Sequence, residues 1–373
     1  MRERLRGLQG QPPQQTLTAC HALLREAEVA GAEEERVALM NMISHAHTRL
    51  GEWAAAEALA RRCVELAERT GDRRLLADAI LRLGVTLVEA KPLEAVELYQ
   101  RALAIFTEVD DRRGQIRCYI NKGVAWLRAG HAPEAEKSFV VALDIGRGAR
   151  APDLTGLASL NAGVLSARRG RDDEAHARLA EALRLFTAVR NEPYRLGTLY
   201  NMAHVALDRR DAGSALTLYQ QAAELASSIG QPDVEAGALA GAGLATLALG
   251  RGEAAECVSS AVATLVGGRA EWWFQGREIV EALSVRAAVA VGDTTLAESR
   301  FHASVAMAEQ HDQYGAAWLV AECASALAAG GARGVWDVVA RFAPIAAELG
   351  YVPLASRYDA LTAEREALAT SRA

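Results

Sequence analysis

Apolar and small residues recur along this chain at helical spacing and in a fixed long period. Ala95, Ala135, Ala175, Ala215 and Ala255 follow one another in steps of 40 residues. Four positions after each stand Tyr99, Phe139, Leu179, Tyr219 and Ser259, and three further on stand Ala102, Ala142, Ala182, Ala222 and Val262. Spacings of four and three place all three sets on one helix face. The segment before each set is periodic too, with Gly84, Gly123, Gly163, Ala203 and Gly243 at its middle and Gly130, Gly170, Arg210 and Gly250 at its end. A glycine inside a helix costs roughly 1 kcal/mol relative to alanine, so close approach of a second helix is the reason to place one there. The chain therefore reads as a series of helix pairs, A then B, and so as an all-α solenoid.

Breakers and N-cap residues punctuate the series in phase: Thr70-Gly71-Asp72, Val109-Asp110-Asp111, Ala151-Pro152-Asp153, Glu192-Pro193 and Gln231-Pro232-Asp233. The period degrades at both ends, as it must where terminal units cap a stack. Thr16 to Ala30 reads as a lone B helix within an N-terminal cap, residues 1–35; regular pairs run over 36–262. Residues 263–373 carry two irregular pairs, marked by Gly292-Asp293 with Ala297 and Phe301 and by Gly330-Gly331 with Val335 and Val339, and then a terminal helix over 353–369. No linker composition interrupts the series, which predicts a single domain over 1–373.

Composition narrows the class. Hydrophobic residues make up 51% of the chain and lean on Ala and Leu, while aromatics are 5%, a helix-forming balance. The net charge of -6 offers no basic face for nucleic acid. Cys20, Cys63, Cys118, Cys257 and Cys323 are odd in number and scattered at helical apolar positions, which predicts reduced core thiols. The charged N-terminus is followed by no apolar h-region and no run of apolar residues is long enough to span a bilayer, so a cytoplasmic protein without a membrane partner is expected.

The segment NKGVAWLRAGHAPEAEKSFVVAL, Asn121 to Leu143, holds a small residue mid-helix A, a turn glycine, an early alanine of helix B, an aromatic residue and a second alanine. In this it resembles the tetratricopeptide repeat (TPR) family, over roughly residues 36–342. The standard unit of that family is about 34 residues. The longer unit of this chain is similar to those of MalT-like and Rap-like bacterial regulators and of kinesin light chain. The resemblance implies a right-handed superhelix of about seven to eight helix pairs with capping helices, whose A helices line a concave groove.

The resemblance also implies which A-helix positions face that groove. The sixth position holds Arg82, Asn121, Asn161 and Asn201, the last three in register. An amide buried without partners costs about 1–3 kcal/mol, so three in-phase asparagines fit a groove better than a core. A carboxamide both donates and accepts, and so can pair with the backbone of an extended peptide whatever its side chains. The alternative is that the asparagines bond across to the neighbouring repeat and set its pitch. Arg82 and Arg117 on this stripe favour an acidic partner. Tyr200 and His204 flank Asn201, and Asn41 and His45 occupy the first A helix.

Catalytic and metal constellations are weak. His45 and His47 lie two apart and so on different helix faces, the glycine-rich pieces match no phosphate fingerprint, and no nucleophile has a base at local spacing. Neither a metal nor a cofactor is expected. Trp272-Trp273-Phe274 reads as a plug at an irregular junction or as a self-association surface; Tyr119, Trp126 and Trp318 read as core. The expected function is non-catalytic binding of a peptide or partner segment in the groove, homo-oligomers being compatible with it. The second reading is the sensor part of a transcriptional or second-messenger regulator that responds to a peptide or small ligand.

Overall fold

The computed structural model describes residues 13–251, 258–259, 261–263, 267, 276–332 and 334–370. Its helices are α1 Pro13–Val29, α2 Glu33–Arg49, α3 Trp53–Thr70, α4 Arg73–Leu87, α5 Pro92–Glu108, α6 Arg112–Arg128, α7 Ala132–Gly148, α8 Pro152–Arg168, α9 Asp172–Ala188, α10 Glu192–Asp208, α11 Ala212–Ser228, α12 Pro232–Ala248, α13 Arg277–Ala290, α14 Thr294–His311, α15 Gln313–Ala329, α16 Val335–Glu348 and α17 Val352–Thr370. No strand occurs among the described residues. Among the described residues the helix pairs fall where the period places them, including the irregular pairs α13–α14 and α15–α16; Ala255 and Cys257, in the B helix expected to follow α12, lie outside the described residues. The terminal helix α17 is two residues longer than expected.

The structure explains the 40-residue period. Helices α6 to α12 are each 17 residues long and are joined by three-residue turns, so helix plus turn repeats every 20 residues. The middle residue of each turn has positive φ: Asp110 (48°), Gly130 (80°), Arg150 (50°), Gly170 (68°), Arg190 (53°), Arg210 (62°), Gly230 (67°) and Gly250 (77°). The N–H of the next residue reaches back five positions, as in His131 N to Trp126 O at 2.8 Å and Gln231 N to Ala226 O at 2.9 Å. This is the Schellman closure, in which a left-handed residue lets the chain satisfy the last carbonyls of a helix and reverse.

Within a pair, the mid-helix glycine of A receives the large side chain of B. A Cβ added to Gly84 would stand 2.5 Å from the Tyr99 ring, one on Gly123 2.4 Å from Phe139, and one on Gly163 2.9 Å from Leu179. The partner side chains are among the most buried of the chain, Tyr99 and Leu179 at 1% exposure and Phe139 at 0%. Cys20, Cys63, Cys118 and Cys323 are buried as well, and burial pushes the Cys63 and Cys118 thiols up to about 12.

The chain divides within α8 into two compact units, residues 1–162 and 163–373. Unit 1 stacks α1 to α7 and the first part of α8, with cores around Leu23 and Ile43, around Ile80 and Phe106, and around Ile116 and Leu143. Unit 2 has one core running from Leu196 to Leu361. Two of its helices, α12 and α15, are apolar nearly all round and correspondingly buried on most faces.

Candidate helix-face binding sites

In unit 1 the expected face lies on α2, α4, α6 and α8. Asn41 is spent within its own pair, its Oδ1 accepting from Cys63 Sγ at 3.2 Å. His45 and Arg82 are exposed. Arg117 is half-buried and ion-paired, Nη1 lying 2.7 Å from Asp78 Oδ1, and Arg128 pairs with Glu89 at 3.0 Å. Arg117 is matched by a carboxylate of the preceding A helix and Arg128 by one in the turn that follows that helix, so the charge of Arg117 is balanced inside the fold. Asn121 and Asn161 are both half-buried.

The two later asparagines share one geometry. Asn161 Nδ2 donates to Leu157 O at 2.8 Å, and Asn201 Nδ2 donates to Gly197 O at 2.7 Å. Each amide bonds four residues back on its own helix, which fixes the rotamer and turns Oδ1 away from the backbone. Among the described residues no hydrogen bond reaches either Oδ1, and neither amide bonds to a neighbouring helix pair. Each amide, within its own unit, keeps an acceptor rather than the donor-and-acceptor pair expected of a carboxamide.

Unit 2 places Asn201 beside a shallow pocket of about 230 Å³ between α10 and α12, lined by Pro193, Leu196, Gly197, Tyr200, Asn201, Gln231 and Val234. Tyr200 is 7% exposed, its ring set edge-on to Tyr219, and burial raises its phenol well above the usual range. Its Oη has no hydrogen-bond partner among the described residues and lies against Gly237 and Gly276, where an added Cβ would meet it at 2.9 Å and 2.2 Å. His204, one turn along, does not line the pocket. Its ring lies 5.4 Å from that of Trp318, and Nε2 is 3.7 Å from Asp208 Oδ2.

His204 belongs instead to a polar cluster that fills the face of α10 opposite α15. Trp318 Nε1 donates to Asp208 Oδ1 at 3.0 Å. Glu322, only 2% exposed at its side chain, is bound by Arg210 at 3.3 Å, by Arg286, and by Arg357 of α17 at 2.5 Å. Arg357 also lies 3.5 Å from Asp208 and over the Trp318 ring, its Cζ 5.6 Å from the centroid. Nearby, Arg168 Nη1 donates to Tyr351 Oη at 2.7 Å and sits over the rings of Tyr351 and Tyr314. Sequence reading missed this cluster. One signal was present: Glu322 is the only charged residue of α15.

Among the described residues no group of three or more His, Cys, Asp or Glu is arranged to hold a metal ion, and no helix is long and apolar enough to cross a membrane. The Trp272-Trp273-Phe274 run lies outside the described residues.

Residues 35–108 match the family model described as tetratricopeptide repeat. Regulatory protein AfsR of Streptomyces griseus is 26% identical over 251 residues, covering 67% of this chain and 25% of AfsR, so the chain spans about a quarter of that relative's length. Among solved structures, the apo form of the quorum sensor NprR from B. thuringiensis superposes with a TM-score of 0.60 at 14% identity over 82% of this chain and 86% of that one. A signal transduction ATPase with numerous domains and a tetratricopeptide repeat sensor, from Pyrococcus horikoshii, gives 0.59 at 16% identity over 77% of this chain and 43% of its own. A Rap protein complexed with competence and sporulation factor gives 0.54 at 17% identity over 90% and 99%. At these identities the structural likenesses establish the fold, an all-α repeat architecture, and the family match assigns tetratricopeptide repeats to residues 35–108.

Proposed function

We propose that this chain is the protein-interaction part of a regulator and that it binds an extended peptide or partner segment on its A-helix faces, without chemistry. The observation that carries this reading is the repeated asparagine geometry. Asn161 and Asn201 each use Nδ2 on their own helix and leave Oδ1 without a hydrogen bond among the described residues. An acceptor left open on an A-helix face suits a backbone N–H of an extended peptide, whatever that peptide's sequence. The pitch-setting alternative requires bonds to the neighbouring pair, and the amides are bonded within their own helices instead. With roughly 1 kcal/mol net from each neutral hydrogen bond, a short peptide held this way binds in about the micromolar range.

The test is positional cross-linking in the native lysate. A photoreactive residue at position 121, on the A-helix face of unit 1, should capture a defined partner segment, and the Asn161→Ala variant should weaken that capture. The same residue in place of Val140, exposed on α7, should not. Capture from position 140 and not from 121 would place the interface on the B helices and overturn the reading.

The likeness to part of AfsR, a regulatory protein, favours the narrower idea that this chain is the sensor part of a signalling regulator. That idea predicts a ligand-dependent change in radius of gyration by small-angle scattering, and an unchanged profile with a saturating bound ligand counts against it.

A further inference from the structure

We propose that α17 is a reversible cover over the polar face formed by α10 and α15 in unit 2, with Arg357 as its catch. This goes beyond the binding role argued above and does not depend on it.

Few apolar side chains hold α17 down. Of its 19 residues only Leu354, Tyr358 and Leu361 are buried. The remaining attachments are polar: Tyr358 Oη donates to Ala317 O at 2.9 Å, Ser325 Oγ to Glu364 Oε2 at 2.7 Å, and Arg357 reaches Glu322 and Asp208. By contrast α15, against which α17 lies, buries eleven residues along its 17. Local opening proceeds through the element with the least buried apolar surface, which here is α17.

What lies beneath is suited to exposure. Removing one partner of a buried ion pair is ordinarily costly because it strands the other charge. Here Glu322 keeps Arg210 and Arg286, and Asp208 keeps the Trp318 indole N–H, when Arg357 departs. Counting Asp208 and Glu322 against Arg210 and Arg286, the face left behind is charge-balanced, and the fifth charge, Arg357, is the surplus one. Among the described residues its Nε has no hydrogen-bond partner in the closed form. His204, Tyr219, Tyr314, Cys323 and Tyr358 are the other titratable groups around this face. Lifting α17 therefore hydrates a matched set of charges and strands none. It uncovers an acidic and aromatic seat, Asp208, Trp318 and Glu322, already shaped for a guanidinium.

Hydrogen–deuterium exchange on the full chain tests this. In the unaltered protein, amides of 352–370 should exchange as a group and faster than those of α15. In Arg357→Ala, exchange over 352–370 should rise at least about tenfold, as expected for loss of one charge-assisted contact, while α9 to α12 stay unchanged. Arg357→Lys, which keeps the charge and loses the fork, should fall between the two. Equal rates for α15 and α17 in the unaltered protein would overturn the proposal. So would acceleration of α9 to α12 together with α17 in Arg357→Ala, because Arg357 would then be holding the unit together rather than closing a cover.

Discussion

Gly123 sits where Phe139 needs the space of a side chain. Alanine there gains helix propensity of about 1 kcal/mol, but its Cβ would press into a ring with 0% exposure and no room to yield. Overpacking of this kind costs about 1–3 kcal/mol, so Gly123→Ala is expected to lower the denaturation midpoint of unit 1 in a urea titration. The left-handed turn residues act in the opposite sense. Arg190 is exposed and holds φ at 53°, a region that strains any residue with a Cβ. Arg190→Gly relieves that strain and should raise the melting midpoint, by about 1 kcal/mol of stability at most, since glycine also gains freedom in the unfolded chain. The glycine at the mid-helix position could be read from sequence because its cost in a helix demands a packing reason. The arginine at the turn position could be placed by period but not by type, because nothing about arginine announces positive φ.

Between elements, the A helices of unit 1 are tied by ion pairs one period apart. Arg113 at the start of α6 grips both carboxylate oxygens of Asp153 at the start of α8, at 3.1 and 2.5 Å, and this contact holds the Asp153 carboxyl below the usual carboxylate range. A depressed carboxyl pKa contributes stability above its unfolded value and loses it as pH falls through the folded one. The difference in midpoint between the unaltered protein and Arg113→Ala should therefore be present at pH 6 and shrink below about pH 4, as chemical denaturation across that range would show. The helix-pair pattern was legible at this scale, down to the irregular pairs, because one period runs through apolar and turn residues alike. What escaped was the partner of α15. An all-apolar helix announces burial but not what covers it; Asp208 meets Trp318 across 110 residues, Arg210 meets Glu322 across 112, and Arg357 reaches Glu322 across 35. For the same reason Asn161 and Asn201 were placed correctly on their helices while their hydrogen bonds, which depend on rotamer, could not be read.

At the scale of the molecule each unit follows its own logic of charge. Unit 2 surrounds Glu322 with three arginines, and that asymmetry has a measurable consequence. Glu322→Ala leaves Arg210, Arg286 and Arg357 facing one another, and it should destabilise the unit by about 3–5 kcal/mol, read by calorimetry as a fall in melting temperature. Losing Arg357 should cost far less. Equal losses would mean that the cluster behaves as ordinary packing.

The twenty-residue beat of helix and turn also makes this chain editable in length. Excising residues 112–151 joins Asp111 to Pro152, so the turn Val109-Asp110-Asp111 takes the place of Ala149-Arg150-Ala151 ahead of α8, with a positive-φ residue still at its centre. Every later helix keeps its rotational phase, because one whole pair has been removed. A cut of 37 residues at the same point would leave three residues too many, and three residues turn a helix by roughly 300°. The first shortened chain should keep its helical content per residue and melt cooperatively, and the second should do neither. A coding sequence built on this beat can gain or lose a pair by a single recombination between in-phase positions and still specify a folded protein.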